Sequence, residues 1–360
     1  MPRRLFHTLD GLRGLAAAAV VLCHTPVIFA STWYPAGGYL AVDLFFGLSG
    51  FVLADAYSAR LDAGMALSSF MWKRVLRLWP LYALGLTISA AATALAITMY
   101  HAPASKLAPF LPSLFYIPWF GSSQELYPLN YPAWSLLYEL VVNLVMAATW
   151  RKLTNRVLIG IVGLSALGLI ATAHFYQSLN TGFIWPEAPG ALARLGFSFF
   201  LGILLWRVRP RLVAFKLGAW VPMVLLGLGL VIHPSFVSRG VQDLIEVFFL
   251  MPAIIWMGAA TQPTGKSLTI FKALGAASYP LYTVHVPLLA LLGAFAVHAL
   301  HISTARVTSL QCLLILGGLL GFAWLLSELD TAFRGWLDRT LALFRQPTAG
   351  TAAPPIQSSP

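Results

Sequence analysis

Two apolar runs decide how this chain is read: LDGLRGLAAAAVVLCH at residues 9–24 and, after a short turn, GGYLAVDLFFGLSGFVLADAY at residues 37–57. Both have the greasy composition of membrane-spanning helices. Yet they carry Arg13, His24 and Asp43 where hydrocarbon excludes charge. An ionisable side chain at the centre of a spanning helix costs about 2.5–3.5 kcal/mol on insertion scales, so its presence marks a candidate functional position.

The rest of the composition agrees. Of 360 residues, 59% are hydrophobic and 10% charged, against about 45–50% and about 25% in a soluble domain. Mean hydropathy is +0.78. Spanning helices need apolar runs of about 17–25 residues. That measure predicts an all-α membrane protein, a polytopic bundle of about ten transmembrane helices. Their approximate bounds are 11–31, 38–57, 79–100, 133–150, 157–175, 191–206, 218–234, 243–261, 275–297 and 307–328. One membrane domain is expected over residues 1–345. The basic start, MPRRLFHTLDGLRG, leads into His24 and Thr25-Pro26 without a small-x-small cleavage site. The first run therefore reads as a retained helix rather than a signal peptide.

A net charge of +11 is the kind of balance that nucleic-acid binding produces. Its distribution points to a lipid bilayer instead, because the basic residues cluster in alternate loops. With the N-terminus in the cytoplasm, about 19 of the 23 Lys and Arg fall inside. Lys106, Arg194, Arg239 and Arg306 fall outside. Both termini are then expected to be cytoplasmic, with no nucleic-acid partner. Cys23 and Cys312 both lie in predicted spans; two thiols placed so make neither a disulfide framework nor a metal site.

Two segments are not simple spans. Residues 101–133 form a long outer connection rich in Pro and aromatics, including APFLPSLFYIPWFGSSQELYPLNYPAW. It reads either as a re-entrant cap or as an aromatic belt at headgroup level. Residues 346–360, QPTAGTAAPPIQSSP, read as a disordered cytoplasmic tail.

Arg13 and His24 are eleven residues apart, about three full turns, so they share one helix face roughly 16 Å apart along the axis. Asp43 enters the second helix from outside, roughly 8 Å down. Glu139 does the same on the fourth span, in WSLLYELVVN, with Ser135 and Asn143 on neighbouring turns. His24, Asp43 and Glu139 are thus expected at similar depth on three helices. A carboxylate beside an imidazole fixes its tautomer, an arrangement suited to activating a hydroxyl. The structural alternative for each is an interhelical hydrogen bond.

At the inner surface, FMWKRVLRLWPLY places Arg74 and Arg77 three apart on one helix face. With Arg13 they form a candidate guanidinium cluster for phosphates, although basic residues at an inner helix end also follow from topology and anionic lipid. GLSG, with Gly47, Ser49 and Gly50, puts small residues three apart and lets a helix or ligand approach closely. LGAASYPLYTVHVPLL places Tyr282 and His285 on one face of the ninth span, beside Pro280 and Pro287. His285 is a candidate lining residue near mid-membrane.

These residues resemble the acyltransferase-3 family of bacterial integral membrane acyltransferases, related to polysaccharide and lipopolysaccharide O-acetyltransferases. Arg13 and His24 stand in that family's Arg-x10-His pattern. GGYLAVDLFFGLSGFVL is similar to its second-helix motif, with Asp43, Ser49 and Gly50 in place. KRVLRLWPLY resembles its arginine segment, and WSLLYE and SYPLYTVH its later motifs, giving Glu139, Tyr282 and His285. Leu140 stands where the common WSLxVEEQFY form has a second acid. The resemblance implies a multi-pass protein of the bacterial inner membrane. Acyl-CoA, typically acetyl-CoA, would serve as cytoplasmic co-substrate, with no tightly bound cofactor, and the acceptor would be a glycan hydroxyl at the outer face. Arg13, Arg74 and Arg77 would hold the donor's phosphates. His24 would be the base or carry the acyl group, with Asp43 and Glu139 in the catalytic set and Ser49, Tyr282 and His285 lining the pocket. Transfer would be completed alone or by a separate extracytoplasmic transferase.

Two other readings fit parts of the pattern. One keeps the enzyme and changes the acceptor to a lipid or to a small molecule such as an antibiotic. The other is a proton-coupled transporter or flippase, since buried Asp, Glu and His also mark proton pathways; the chain lacks the matched broken helices of inverted-repeat transporters.

Overall fold

The computed structural model describes residues 5–29, 34–121, 124–209, 218–298, 301 and 307–345. The 346–360 tail, like the basic residues Arg3, Arg4, Arg211, Lys216 and Arg306, lies outside them. Helices α1 (His7–Ile28), α2 (Ala41–Asp62) and α3 (Leu67–Tyr100) are followed by the short α4 (Phe110–Leu114). Then come α5 (Ala133–Thr149), α6 (Asn155–Tyr176), α7 (Ala188–Val208) and α8 (Trp220–Val231). Helix α9 (Arg239–Ile245) continues through a π-helical turn (Glu246–Leu250) into α10 (Met251–Ala260). The long α11 (Gly265–His298) and α12 (Ser309–Arg345) close the bundle. Among the described residues there is no strand, only one isolated antiparallel bridge between Glu125 and Ile184.

Each predicted span falls on a helix, and among the described residues eight helical stretches are long and apolar enough to cross a membrane. They are Gly38–Asp62, Leu67–Tyr100, Ala133–Lys152, Asn155–Tyr176, Trp185–Val208, Arg239–Ala260, Gly265–His298 and Ser309–Leu337. The other two differ in kind. Helix α1 is continuous over 22 residues but carries Asp10, Arg13 and His24 in its apolar run, and α8 has only 12 residues. Several bounds move outward: α3 starts at Leu67 rather than 79, α11 at Gly265 rather than 275, and α12 runs on to Arg345. Basic residues end an apolar run, but they do not end a helix, which stops only where its i to i−4 bonding does.

Close packing fixes the helix partners. Helices α1 and α11 run alongside each other in the same direction: Gly11 meets Phe271, Gly14 meets Leu274, and His24 meets His285. Helices α2 and α7 are closer still. A Cβ on Gly50 would lie 2.0 Å from the Phe199 carbonyl oxygen, and one on Gly202 would lie 2.1 Å from that of Gly47. Only glycine permits such backbone approach. Helix α12 packs Cys312, Leu319 and Ala323 against Ala17, Val21, Leu281 and Leu289 of α1 and α11.

The 101–133 connection folds back along α3 into the bundle. Trp79 Nε1 donates to the Leu114 carbonyl (2.9 Å), and the Tyr82 hydroxyl donates to the Ser113 carbonyl. The rings of Tyr82 and Tyr116 stack 4.2 Å apart. Tyr116 turns the chain in the left-handed region (φ 59°). Further on, Asn130 Nδ2 donates to the Thr283 carbonyl (3.0 Å). That carbonyl is four residues before Pro287, whose missing N–H leaves it without its helical partner. The connection thus repairs a proline defect in α11.

Candidate functional site

A cavity of about 350 Å³ opens near the N-terminal end of α1 and reaches into the bundle. Leu5, Phe6 and Asp10 from the start of the chain and Asp55 to Tyr57 from the end of α2 line its mouth. Arg13, Arg74 and Arg77, from α1 and α3, all face it. The guanidinium cluster expected from spacing is therefore assembled around one space. Its members differ. Arg74 is buried and donates to Glu139 Oε1 (2.8 Å), which also accepts from Ser49 Oγ (3.0 Å). The Nε of Arg74 is buried without a partner. Arg13 and Arg77 make no hydrogen bond or ion pair among the described residues. The acids that share the cavity have other partners, Glu139 with Arg74, Asp55 with Arg209 and Asp10 beside His7, so the charges of Arg13 and Arg77 are left to suit an anionic ligand.

The inner end of the cavity is closed by Phe45, Ser135 and Tyr282. The Tyr282 hydroxyl lies 2.6 Å from Ser135 Oγ and donates to the Pro132 carbonyl (3.1 Å). Immediately beyond Tyr282 sit the two histidines. His24 Nδ1 is 2.8 Å from His285 Nε2. His285 Nδ1 is 2.8 Å from the Tyr282 carbonyl and 3.2 Å from that of Leu281. The Tyr131 ring meets His24 edge-on at 5.1 Å. Burial first, with the neighbouring Cys23 adding to it, holds the Tyr131 phenol above its ordinary range, so it stays an O–H beside the imidazole. His24 is half-buried, whereas His285 is fully buried.

The sequence placed Asp43 and Glu139 beside His24. The structure corrects this, since each carboxylate has an arginine partner and neither bonds the imidazole. Asp43 is held by Arg194 through Nη2 (2.6 Å) and Nε (3.1 and 3.2 Å). Arg194, 1% exposed, also donates to the carbonyls of Thr181 (2.7 Å) and Tyr39 (2.9 Å). Asp43, Gly47 and Gly50 follow i, i+4, i+7 spacing on one helix face, and that face meets α7. Glu139 also lies at the level of Ser49 and the arginine cluster rather than at that of His24, so neither its depth nor the direction Asp43 faces was readable from the sequence. Two smaller expectations also change. Ser135 bonds Tyr282 rather than Glu139, and the buried Asn143 amide has no partner among the described residues.

Arg194 was counted as an outer-loop charge, yet it is a buried partner inside α7. Its signal was present, because an arginine in ALARLGFSFFLGILLW is itself an intramembrane charge. Tyr131 lies in a loop and carried no such signal. Of the expected lining set, Ser49 and Tyr282 face the cavity, and His285 lies one turn beyond it.

Comparisons with known proteins give the family. The acyltransferase-3 family model, described as an acyltransferase domain, matches residues 6–328. The chain is 38% identical over 193 residues to a Rhizobium radiobacter protein named protein 2 in picA locus, covering 48% of this chain and 98% of that protein. It is 26% identical over 330 residues to acyltransferase MdmB of Streptomyces mycarofaciens, covering 79% of this chain and 80% of that protein. No solved structure matches the chain. Since the family match runs from the first turn of α1 well into α12 and takes in every residue of the cavity and histidine pair except the mouth residue Leu5, the chain belongs to the acyltransferase-3 family, as a multi-pass membrane enzyme that transfers acyl groups.

Proposed function

We propose that this enzyme moves an acetyl group from cytoplasmic acetyl-CoA to a hydroxyl of a cell-surface glycan, across the bacterial inner membrane, with both termini cytoplasmic. The observation that carries the reading is the axis of the site: unpaired arginines at one end of a cavity, and a bonded imidazole pair just beyond the other.

Arg13 and Arg77 receive the donor's phosphates at the mouth, with Arg74 held in place by Glu139. The volume of the cavity decides what enters. At about 350 Å³ it lies low in the range of about 300–1,000 Å³ for pockets that enclose drug-sized ligands. That accommodates a pantetheine arm bearing a short acyl group and leaves the nucleotide at the mouth, within reach of the arginines. Tyr282 and Ser135 stand where the thioester arrives. His24, half-buried beyond them, takes the proton of the acceptor hydroxyl as its oxygen attacks the thioester carbonyl. The C–S bond breaks, the ester forms, and the proton passes on to the departing thiolate. Asp43 acts at one remove by fixing α2 against α7.

The test is His24→Ala, with membrane abundance confirmed and acetylation of the host glycan measured. Loss of a general base costs about 10²–10⁴-fold in rate, so acetylation should fall to that extent. Undiminished acetylation removes His24 from the mechanism and overturns the reading.

A further inference from the structure

We propose that His285 is a positioning residue that holds His24 in the one tautomer able to act on the acceptor, so that a second histidine fills the place a carboxylate takes in better-known imidazole sites. The inference rests on the acyl-transfer reading of His24.

The argument starts from the carbonyl oxygens of Tyr282 and Leu281. A carbonyl only accepts hydrogen bonds, so His285 Nδ1, at 2.8 and 3.2 Å from them, must carry a hydrogen. A neutral imidazole has one N–H, so His285 Nε2 is a bare acceptor. It lies 2.8 Å from His24 Nδ1, which must then be the donor and hold the single hydrogen of that ring. What is left is His24 Nε2, with a free lone pair. The ring geometry fits this chain of bonds. The two planes are 16° apart with centroids separated by 5.0 Å. That separation is what one 2.8 Å contact plus half the width of each ring requires, so the rings lie end to end rather than face to face.

The surroundings hold the chain in this direction. A second proton on His285 would sit on Nε2 and reverse the bond, leaving His24 with its hydrogen on Nε2 and no basic nitrogen toward the acceptor. No carboxylate among the described residues lies within ion-pair distance of either ring to support such a cation, and an unpaired buried charge is costly. Tyr131, the other titratable group against His24, is a neutral phenol. Adjacent to it in sequence, Asn130 bonds the proline-freed carbonyl of Thr283, so neighbouring residues brace both histidines. During transfer the Nδ1–H of His24 stays on His285 while Nε2 accepts the hydroxyl proton and then releases it to the thiolate. The same nitrogen acts whether His24 serves as base or carries the acyl group.

The test reads the tautomer directly. Nitrogen-15 spectra of histidine-labelled protein, with His24 assigned by the signals missing in His24→Ala, should show its Nδ1 protonated and its Nε2 bare. His285→Phe should give a mixture of tautomers and lower kcat by about 10–100-fold, the usual effect of removing such a partner, with the KM for donor unchanged. His285→Gln, whose amide oxygen stands near the lost Nε2, should restore the tautomer and regain at least tenfold over the Phe variant. A wild-type His24 protonated on Nε2, or a folded His285→Phe protein with unchanged kcat, overturns the proposal. The spectrum does not depend on turnover, so it separates this failure from failure of the acyl-transfer reading, which His24→Ala reports.

Discussion

Two of the guanidinium–carboxylate pairs among the described residues have opposite surroundings. Arg194 and Asp43 join α7 to α2 with every direction filled: two carboxylate oxygens, two backbone carbonyls and a tryptophan face 5.6 Å away. Arg74 and Glu139 join α3 to α5, but their pair opens on a cavity, shares one carboxylate oxygen with Ser49 and leaves Arg74 Nε without a partner. A closed pair fixes helices. An open one, with unpaired Arg13 and Arg77 beside it, keeps capacity for a ligand. The presence of intramembrane charge thus marks both sites and distinguishes neither; the unfilled hydrogen-bonding capacity does.

The sharpest way to break the contrast is Arg194→Met. Removing one partner of a buried pair leaves an uncompensated charge and costs about 3–5 kcal/mol. The variant should show a much lower thermal midpoint in detergent and reduced abundance in membranes. Pairing it with Asp43→Leu removes the second charge as well and should recover most of the loss. Midpoints equal to wild type for Arg194→Met alone would show that the closed pair does not hold α2 to α7.

The open site should respond in donor affinity instead. A charge-assisted hydrogen bond is worth about 1.5–3 kcal/mol, which is about tenfold to a hundredfold in affinity at 1.4 kcal/mol per decade. Arg77→Gln should raise the donor KM by that factor with little change in thermal midpoint, and Arg13→Gln should do the same. Lys73→Gln, exposed one residue before Arg74, should change neither. Donor KM values that stay level in both arginine variants would return these residues to ordinary positive-inside charge.

The sequence made the helices legible because apolar runs of spanning length have few other uses. It also made the axial positions of the three arginines legible, since rise per residue is fixed, but not that of Glu139, which lies with Arg74 rather than at the level of His24. Arg13, Arg74 and Arg77 were brought together on that basis, and the cavity contains all three. Azimuth was not legible. It depends on which helix is the neighbour, and nothing in the second run states that Asp43 faces α7 while Ser49 faces the cavity. The His24–His285 bond was hidden for the same reason: each ring could be placed along its own helix, but the alignment of α1 on α11 follows from glycine packing some three turns away. Asn130 and Tyr131 were hidden because a loop has no periodicity from which to project a side chain.

The finest test uses two adjacent residues. Ser49 Oγ donates to Glu139 Oε1 at 3.0 Å, and Ser49→Ala deletes that bond while Arg74 continues to hold the carboxylate. The expected loss is about 0.5–1.5 kcal/mol, read as a donor KM change of no more than about tenfold. Gly50 points the other way. In Gly50→Ala the new methyl would stand 2.0 Å from the Phe199 carbonyl oxygen. A backbone atom of a packed helix cannot swing aside as a side chain does, so overpacking should cost about 1–3 kcal/mol and appear as a lower thermal midpoint with donor KM unchanged in the protein that survives. One residue of separation rotates a helix by about 100°, enough to carry the effect from the cavity to the α7 contact. If instead Ser49→Ala lowers the midpoint and Gly50→Ala moves only the KM, the two faces of α2 have been assigned the wrong way round, and the division between a closed and an open pair goes with them.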